Sequence, residues 1–274
     1  MTLLNAKRVV TSMSSSIGSI PGAFSIVIPT YNEAPTIATV LSRIVEAAAA
    51  IAMGVPYEIV VVDDGSSDTT REIVEGFARG SGGIVRVVVR ERTGGLEAAI
   101  RTGVATVRTD SLVLLDADLS YTPELVGPLL RKLRGEAAAV AVASPYMRGG
   151  RVANVPRLRL IASRGANVVL SMCVGGTLKT LTGMVRAYDT ASLRAVLRAP
   201  SRGEFNTWVI AELLASGRRV VELPAALEWP MERFLGAPRL SFGALRKRTG
   251  QVVTSIRTLR AGYLTGRRSR SNGT

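Results

Sequence analysis

The chain has 274 residues, 47% of them hydrophobic, which is enough for one large domain or for one domain with an appendage. One cysteine and no histidine exclude a disulfide framework, histidine-ligated zinc and the usual serine-histidine or cysteine-histidine nucleophiles. A formal net charge of +14 predicts an anionic partner, and 5% aromatic residues without a nucleic-acid-binding motif argue against nucleic acid.

Apolar runs typical of buried strands alternate with helix-forming segments through the first half of the chain. We predict strands at residues 24–29, 57–62, 84–89, 112–115 and 138–143, and helices at residues 36–53, 71–79, 94–109 and 123–135. This alternation predicts an α/β fold with a mainly parallel central sheet flanked by helices. No Gly-x-Gly-x-x-Gly or Walker sequence follows a strand, which disfavours a dinucleotide-binding or P-loop fold.

The pattern changes after residue 145, and we interpret the second half of the chain as the wall that recognises an acceptor. Cys173 stands in an apolar context and is predicted to be a buried small hydrophobe. In this half we expect a loop at residues 146–156, a mixed segment at 178–188, helices at 158–174, 190–197 and 204–216, and strands at 219–223 and 226–229.

The two ends of the chain differ in composition from the part between them. Residues 1–22 hold no sustained apolar run and are expected to be a flexible tail; no stretch of the chain is long and apolar enough to span a bilayer. Residues 241–274 contain no Asp or Glu, and Ile256 and Leu259 belong to an apolar stripe at helical spacing. This segment is either a basic amphipathic anchor on an anionic membrane surface or a helix packed on the domain with a solvated basic face.

Carboxylates follow three of the predicted strands. Glu33 follows the first, Asp63 and Asp64 end the second, and Asp116 and Asp118 end the fourth. Each turn alone has a structural explanation, but the carboxyl ends of parallel strands meet at one edge, so we expect the three to converge. Two carboxylates cannot be buried cheaply as bare charges; they favour a divalent cation whose remaining ligands are phosphate oxygens. The sequence therefore predicts a metal-assisted site for a phosphorylated substrate.

Several segments resemble the signature blocks of family 2 inverting glycosyltransferases, and the later ones resemble the dolichol/polyprenyl-phosphate mannose synthase subgroup. They are IPTYNE at 28–33, VVDDGSSD at 61–68, GGLEAA at 94–99, DADLS at 116–120, SRGAN at 163–167, LTGMVRAY at 181–188 and RFLGAPRL at 233–240. The resemblance implies a GT-A (nucleotide-diphospho-sugar transferase) fold over residues 23–240, with a nucleotide-sugar half at 23–145 and an acceptor half at 146–240. Residues 1–22 and 241–274 would flank it.

The resemblance also implies roles for individual residues. Asp116 and Asp118 would engage the donor diphosphate through Mg²⁺ or Mn²⁺, and Asp118 and Arg233 would be catalytic. Arg233 would lie near the donor phosphates or the incoming acceptor phosphate. The other substrate-binding positions, of which the first four would hold the base and ribose, are Pro29, Tyr31, Glu33, Asp64, Gly95, Ala117, Arg164, Thr182, Arg186 and Arg239.

The activity implied is a metal-dependent, inverting transfer of a hexose from a nucleotide sugar to a polyprenyl or dolichyl phosphate, with GDP-mannose favoured over UDP-glucose. The location implied is cytoplasmic and peripheral, at the inner face of a membrane. A phosphate acceptor is already ionised near neutral pH, so the reaction needs no strong general base, which suits a chain without histidine.

Two alternatives stay open. One is the same donor chemistry with a soluble natural-product or saccharide acceptor, and the other is a non-catalytic module that binds nucleotide sugars or anionic surfaces. Asp116 and Asp118 argue against the second alternative. The chain departs from the subgroup at Tyr121, where His or Gln is common, and at Thr180, which replaces an acidic residue. These departures bear on the acceptor and the sugar more than on the donor chemistry.

Overall fold

The computed structural model describes residues 22–229, 256–257 and 259–260. The predicted tail apart from residue 22, most of the basic segment at 241–274, and the predicted site residues Arg233 and Arg239 lie outside these residues. Within the described part, no helix combines the length and apolar character that a bilayer crossing requires.

Helices and strands alternate as predicted. The strands are β1 (Phe24–Thr30), β2 (Tyr57–Asp63), β3 (Val85–Val89), β4 (Ser111–Leu114), β5 (Val140–Ser144), β6 (Arg151–Ala153), β7 (Arg186–Asp189), β8 (Val220–Pro224) and β9 (Ala226–Glu228). The helices are α1 (Ile37–Ala52), α2 (Thr70–Gly80), α3 (Gly95–Thr106), α4 (Val126–Gly135), α5 (Arg157–Cys173), α6 (Thr190–Val196) and α7 (Phe205–Ala215), and a 3-10 turn at Pro123–Leu125 precedes α4.

Seven strands form the central sheet in the order β3-β2-β1-β4-β7-β5-β8. All neighbouring strands are parallel except β7, which runs antiparallel between β4 and β5. The mainly parallel α/β sheet is therefore confirmed. The expected loop at residues 146–156 is wrong in part, because it contains β6, which pairs with β9 in a separate two-stranded sheet. The mixed segment at residues 178–188 contains most of β7.

The sheet is buried on both faces because its strands are continuous apolar runs. Ile26 and Ile28 of β1 point to a core that includes residues of α1 and α4, whereas Val27 points to a second core that includes residues of α3 and α7. The alternation of side chains along a strand thus divides one sheet between two cores. With both faces covered by helices, the carboxyl ends of the strands remain as the place for a site.

The described part of the basic C-terminal segment packs on the domain. Residues 256–257 and 259–260 are helical, with Leu259 fully buried and Ile256 against the same core cluster. Arg257 and Arg260 are exposed. For these residues the structure matches a packed helix with a solvated basic face rather than a membrane anchor.

Candidate active site

Three carboxylate-bearing loops meet at one edge of the sheet. β1 lies between β2 and β4, and the register pairs Thr30 with Asp63 on one side and Val27 with Leu114 on the other. The loops that leave the carboxyl ends of these adjacent strands carry Glu33, Asp63 with Asp64, and Asp116 with Asp118. The structure therefore places the loops that carry these groups side by side at one edge of the sheet.

The loops after β1 and β2 are held together by hydrogen bonds. The Asn32 side-chain oxygen accepts from the Ser67 N–H at 2.9 Å, and the backbone N–H of Asn32 donates to the Ser66 hydroxyl at 3.0 Å. The Glu33 N–H donates to the Thr70 hydroxyl at 2.8 Å. Asn32 has a φ of 54°, a left-handed conformation that asparagine tolerates better than most residues. These contacts fix the backbone beside Tyr31, whose side chain is 48% exposed at the edge.

Asp64 is held by donors from the chain itself. Its carboxylate accepts from Arg90 Nε at 2.7 Å, from the Gly94 N–H at 3.0 Å and from the Gly95 N–H at 2.7 Å. The two glycines lie at the N-terminus of α3, where unpaired N–H groups and the helix dipole favour an anion. Asp64, with 3% of its surface exposed, therefore anchors α3 to the end of β2, and its contact with a base or ribose stays a prediction.

Arg90 was missed by the sequence predictions. Its Nη1 donates to the Ala98 carbonyl at 3.1 Å and to the Thr102 hydroxyl at 2.7 Å, so the guanidinium that holds Asp64 is itself held by α3. The signal in the sequence was a cation placed directly after a predicted strand, at the edge where the carboxylates converge.

Asp116 and Asp118 follow β4, and both are partly exposed, whereas Ala117 between them is buried. The Ser120 N–H donates to Asp118 Oδ1 at 2.9 Å, and Leu119 adopts a φ of 54°, which turns the loop sharply. Among the described residues, no group of three or more candidate ligand side chains converges. Two carboxylates in this position fit a hard cation that takes its other ligands from phosphate oxygens and water.

Tyr121 follows this loop, and Arg186 lies near enough to act on it electrostatically. Burial raises the pKa of Tyr121, the Asp116 carboxylate raises it further, and Arg186 acts in the opposite direction. Tyr121 therefore stays protonated near neutral pH, when it can donate a hydrogen bond but cannot serve as a base. Arg186 begins β7 opposite Leu114 and is fully buried.

The Arg186 guanidinium forms hydrogen bonds to backbone carbonyls inside the fold. It donates to the Asn206 carbonyl at 2.8 Å and to the Leu181 carbonyl at 2.6 Å. The hydroxyl of Thr182, which follows Leu181 in the sequence, accepts a hydrogen bond from the Asn167 side chain of α5 at 3.1 Å. These bonds tie β7, α5 and α7 together, and the predicted contacts of Arg186 and Thr182 with substrate stay predictions.

A cavity of about 440 Å³ opens against α5. Arg164 and Lys179 supply cationic groups to its wall, and Val168 and Met172 supply apolar surface. The Arg164 guanidinium lies 5.8 Å from the centre of the Tyr146 ring. Lys179 is missing from the predicted site, although it is the only cation between Arg164 and Arg186 in the sequence. Cationic and apolar walls together suit a ligand with an anionic head and an apolar body.

The predicted burial of Cys173 is wrong, because the side chain at the end of α5 is only partly buried.

The backbone N–H groups of Lys179 and Thr180 both donate to the Glu222 carboxylate at 2.7 Å. Glu222 of β8 thus brings an acidic group to the position where the chain has Thr180 instead of the subgroup's acidic residue.

The family model described as Glycosyl transferase family 2 matches residues 25–197, which contain the three carboxylate loops and α5. The chain belongs to glycosyl transferase family 2. The expected glycosyltransferase family is confirmed, and the match includes the residues that line the cavity.

Two curated relatives of this family 2 chain act on polyprenyl phosphates by name. Dolichol-phosphate mannosyltransferase of Pyrococcus furiosus is 32% identical over 73% of this chain and 55% of the relative. Undecaprenyl-phosphate 4-deoxy-4-formamido-L-arabinose transferase of Edwardsiella ictaluri is 34% identical over 73% of this chain and 58% of the relative. The chain thus spans little more than half the length of these two relatives.

Solved glycosyltransferase structures share the fold. A mannosyltransferase of Pyrobaculum calidifontis, in complex with GDP-Man and Mn²⁺, has a TM-score of 0.58 at 17% identity and covers 99% of this chain and 83% of its own. Glucosyl-3-phosphoglycerate synthase of Mycobacterium tuberculosis, in complex with UDP, also has a TM-score of 0.58, at 21% identity over 86% of this chain and 80% of its own. The predicted GT-A fold is confirmed.

Proposed function

We propose that this family 2 glycosyltransferase transfers a sugar from a nucleoside-diphosphate sugar to a polyprenyl phosphate. The observation that carries the proposal is the position of Asp116 and Asp118 directly after β4, at the same edge of the sheet as the loops after β1 and β2. The names of the two polyprenyl-phosphate relatives support the acceptor class. We expect GDP-mannose to be the donor. Because one relative is named as a 4-deoxy-4-formamido-L-arabinose transferase, a donor of that sugar is the second candidate.

The proposed donor site uses the residues of the three loops. Tyr31 and Pro29 would border the nucleoside beside Glu33, and Asp64 keeps the N-terminus of α3 in place beside them. Asp116 and Asp118 would hold Mg²⁺ or Mn²⁺ against the diphosphate. When bound, such a metal neutralises the charge that develops on the nucleoside-diphosphate leaving group. Arg233 and Arg239 stay predictions as further cations.

The acceptor would attack through a phosphate oxygen. Such an oxygen is ionised near neutral pH, so the chain has to orient it rather than deprotonate it. Arg164 and Lys179 in the wall of the cavity support this role because both are cationic and exposed. Attack opposite the departing diphosphate inverts the anomeric centre, and Tyr121, protonated and next to Asp116, remains available as a hydrogen-bond donor.

A transfer assay tests the proposal. Purified protein with Mn²⁺ or Mg²⁺ is given GDP-mannose, UDP-glucose or a 4-deoxy-4-formamido-L-arabinose donor, and either a short polyprenyl phosphate or phosphoglycerate as acceptor. We expect a polyprenyl-phosphate sugar with inverted anomeric configuration, identified by mass spectrometry and NMR. Transfer to phosphoglycerate alone would support the alternative of a soluble acceptor, and no transfer with any pair would contradict the proposal.

Replacing Asp116 or Asp118 by Asn should lower kcat at least about 100-fold, because the amide loses the charge that holds the cation. Asp110→Asn is the matched control, since Asp110 is an exposed carboxylate before the opposite end of β4. Binding of Mn²⁺ in the presence of the nucleoside diphosphate, followed by electron paramagnetic resonance, should be weakened in the first two variants and intact in the control. Undiminished turnover and Mn²⁺ binding in both Asn variants would contradict the metal site.

A further inference from the structure

The loop between α5 and β7 is held in place by side chains of other elements. It consists of residues 174–185. The Leu181 N–H donates to the Asn167 side chain of α5 at 2.7 Å, and the Leu181 carbonyl accepts from Arg186 of β7 at 2.6 Å. Backbone groups that leave water need hydrogen-bond partners, and here side chains of a helix and a strand supply them. The position of residues 179–182 therefore depends on those side chains.

Glu222 holds the first two residues of this segment. It lies on β8, at one edge of the central sheet, and is half-buried. Its Oε2 accepts from the Lys179 N–H and its Oε1 from the Thr180 N–H, both at 2.7 Å. Hydrogen bonds to an ionised carboxylate are stronger than those between neutral groups, and the use of both oxygens fixes the orientation. The Thr180 hydroxyl also lies 2.8 Å from the Ser144 hydroxyl of β5, so two strands hold the segment.

The Lys179 ammonium lies in the cavity wall without being neutralised. It donates to the Gly176 carbonyl at 2.6 Å, and both residues line the cavity. Of the described residues that line the cavity, none is acidic, and Glu222 is not among them. Glu222 binds the backbone N–H of Lys179 and not its ammonium. The carboxylate therefore fixes the place of the cation and leaves its charge for an anionic ligand.

We propose that Glu222 is a positioning residue for the acceptor. It holds the backbone of Lys179 and Thr180 so that the Lys179 ammonium stays in the cavity wall and binds the acceptor phosphate. A lysine has a long, flexible side chain, and a fixed backbone lowers the conformational entropy that is lost when its ammonium binds a phosphate. The identity of the ligand rests on the proposed function, whereas the hold of Glu222 on the loop does not.

Steady-state kinetics of the full chain with a short, water-soluble polyprenyl phosphate test the proposal. Glu222→Gln should raise the KM for this acceptor about tenfold, because an amide has one acceptor oxygen and turns its NH2 group toward the second N–H. The kcat and the KM for the nucleotide sugar should change less than about twofold. Glu222→Asp, which keeps the carboxylate on a side chain one methylene shorter, should show the same pattern with a smaller rise. An unchanged acceptor KM in both variants would overturn the proposal.

A control and a double-mutant cycle separate positioning from a general loss of structure. Glu136→Gln is the control, since Glu136 pairs with Lys132 and with Arg219, which directly precedes β8, and it should leave the acceptor KM unchanged. Lys179→Gln should raise the acceptor KM about tenfold, and adding Glu222→Gln to it should raise the KM little further, because both changes remove the same contact. Effects that multiply in the double variant, or an equal rise in Glu136→Gln, would contradict action through Lys179.

Amide hydrogen exchange without any substrate keeps this proposal apart from the proposed function. Exchange at the Lys179 and Thr180 amides should be at least about tenfold faster in Glu222→Gln and unchanged in Glu136→Gln, because only the first variant loses their acceptor. Unchanged exchange in Glu222→Gln contradicts the positioning role, whatever the acceptor is. Absence of both transfer to and binding of the polyprenyl phosphate in the wild type contradicts the proposed function, and the exchange result then still decides whether Glu222 positions the loop.

Discussion

At the scale of single residues, the site is organised by Asp64 and Arg90. Both oxygens of the Asp64 carboxylate accept hydrogen bonds from the chain, two of them from the start of α3. A carboxylate held in this way keeps its place with or without a ligand. Arg90 therefore acts through Asp64 as a positioning residue, and its guanidinium geometry is what allows it to contact Asp64 and α3 together.

Arg90→Lys should raise the KM for the nucleotide sugar about tenfold and leave kcat nearly unchanged, because a single ammonium cannot hold Asp64 and α3 at once. The comparison needs a variant with a similar loss of ion pairing. Arg86→Lys provides it, since Arg86 lies on β3, the strand that Arg90 follows, and pairs with Glu58 at 2.9 Å, away from the carboxyl ends. An unchanged KM in Arg90→Lys, or an equal rise in Arg86→Lys, would contradict the positioning role.

At the scale of elements, the close approach of α3 to the sheet sets the position of Gly94 and Gly95. Gly103 faces the sheet, and a Cβ there would lie 2.5 Å from Val27 Cγ1 and 3.0 Å from Val62 Cγ2. Both valines are fully buried, so they have little room to move. The helix can lie this close to β1 and β2 only because residue 103 has no side chain.

Gly103→Ala should destabilise the fold by about 1–3 kcal/mol, because the added methyl forces α3 away from the valines. Gly165→Ala is the control, since a Cβ at that position of α5 meets no atom within 4 Å. There the loss of backbone freedom in the unfolded chain should stabilise the protein by about 0.5–1 kcal/mol. Chemical denaturation measures both changes, and equal effects would contradict the close packing of α3.

At the scale of the whole molecule, the absence of histidine determines how the charge of the protein changes with pH. No side chain with an ordinary pKa titrates between about pH 6 and pH 8, so stability should vary little over that range. Glu58 links distant parts of the fold by accepting from the Ser25 hydroxyl at 2.8 Å, the Arg108 N–H at 2.8 Å and Arg86 at 2.9 Å. Burial alone raises the pKa of Glu58, but these bonds outweigh it, and the pKa lies below the ordinary value of 4.5.

A carboxyl with a lowered pKa stabilises the fold above its unfolded pKa, and this contribution is lost as the pH falls through the folded value. The free energy of unfolding should therefore be flat from about pH 6 to pH 8 and fall below about pH 4.5. Glu58→Gln should cost about 1–2 kcal/mol at pH 7, and the difference from wild type should shrink in acid. Glu124→Gln, with a side chain 53% exposed, should cost less than about 0.5 kcal/mol. A pH-independent difference for Glu58→Gln would contradict the assignment.

Local sequence determined most of the helices and strands and the edge of the sheet at which the carboxylate loops lie. The apolar runs of β1, β2 and β4 identify buried strands. Because these strands are parallel, the carboxylates that follow them in the sequence lie at the same edge of the sheet, whatever the remaining topology. Glu33, Asp64, Asp116 and Asp118 could therefore be grouped before the fold was known. Arg90 could not be grouped with them, because which cation reaches Asp64 depends on the path of the chain from β3 into α3.

Only the tertiary structure decided the direction of β7 and the orientation of α5. The sequence predicts only a short mixed segment at residues 178–188, which contains most of β7. The direction of this strand depends on its partners, β4 and β5, which come from distant parts of the chain. The stripe of Leu158, Ile161, Val168 and Met172 would be expected to face a core, since periodicity shows that a helix has an apolar side but not where that side points. The hydrogen bonds of Asn167 to residues 181–182 turn the stripe outward, so a non-local contact sets the orientation of α5.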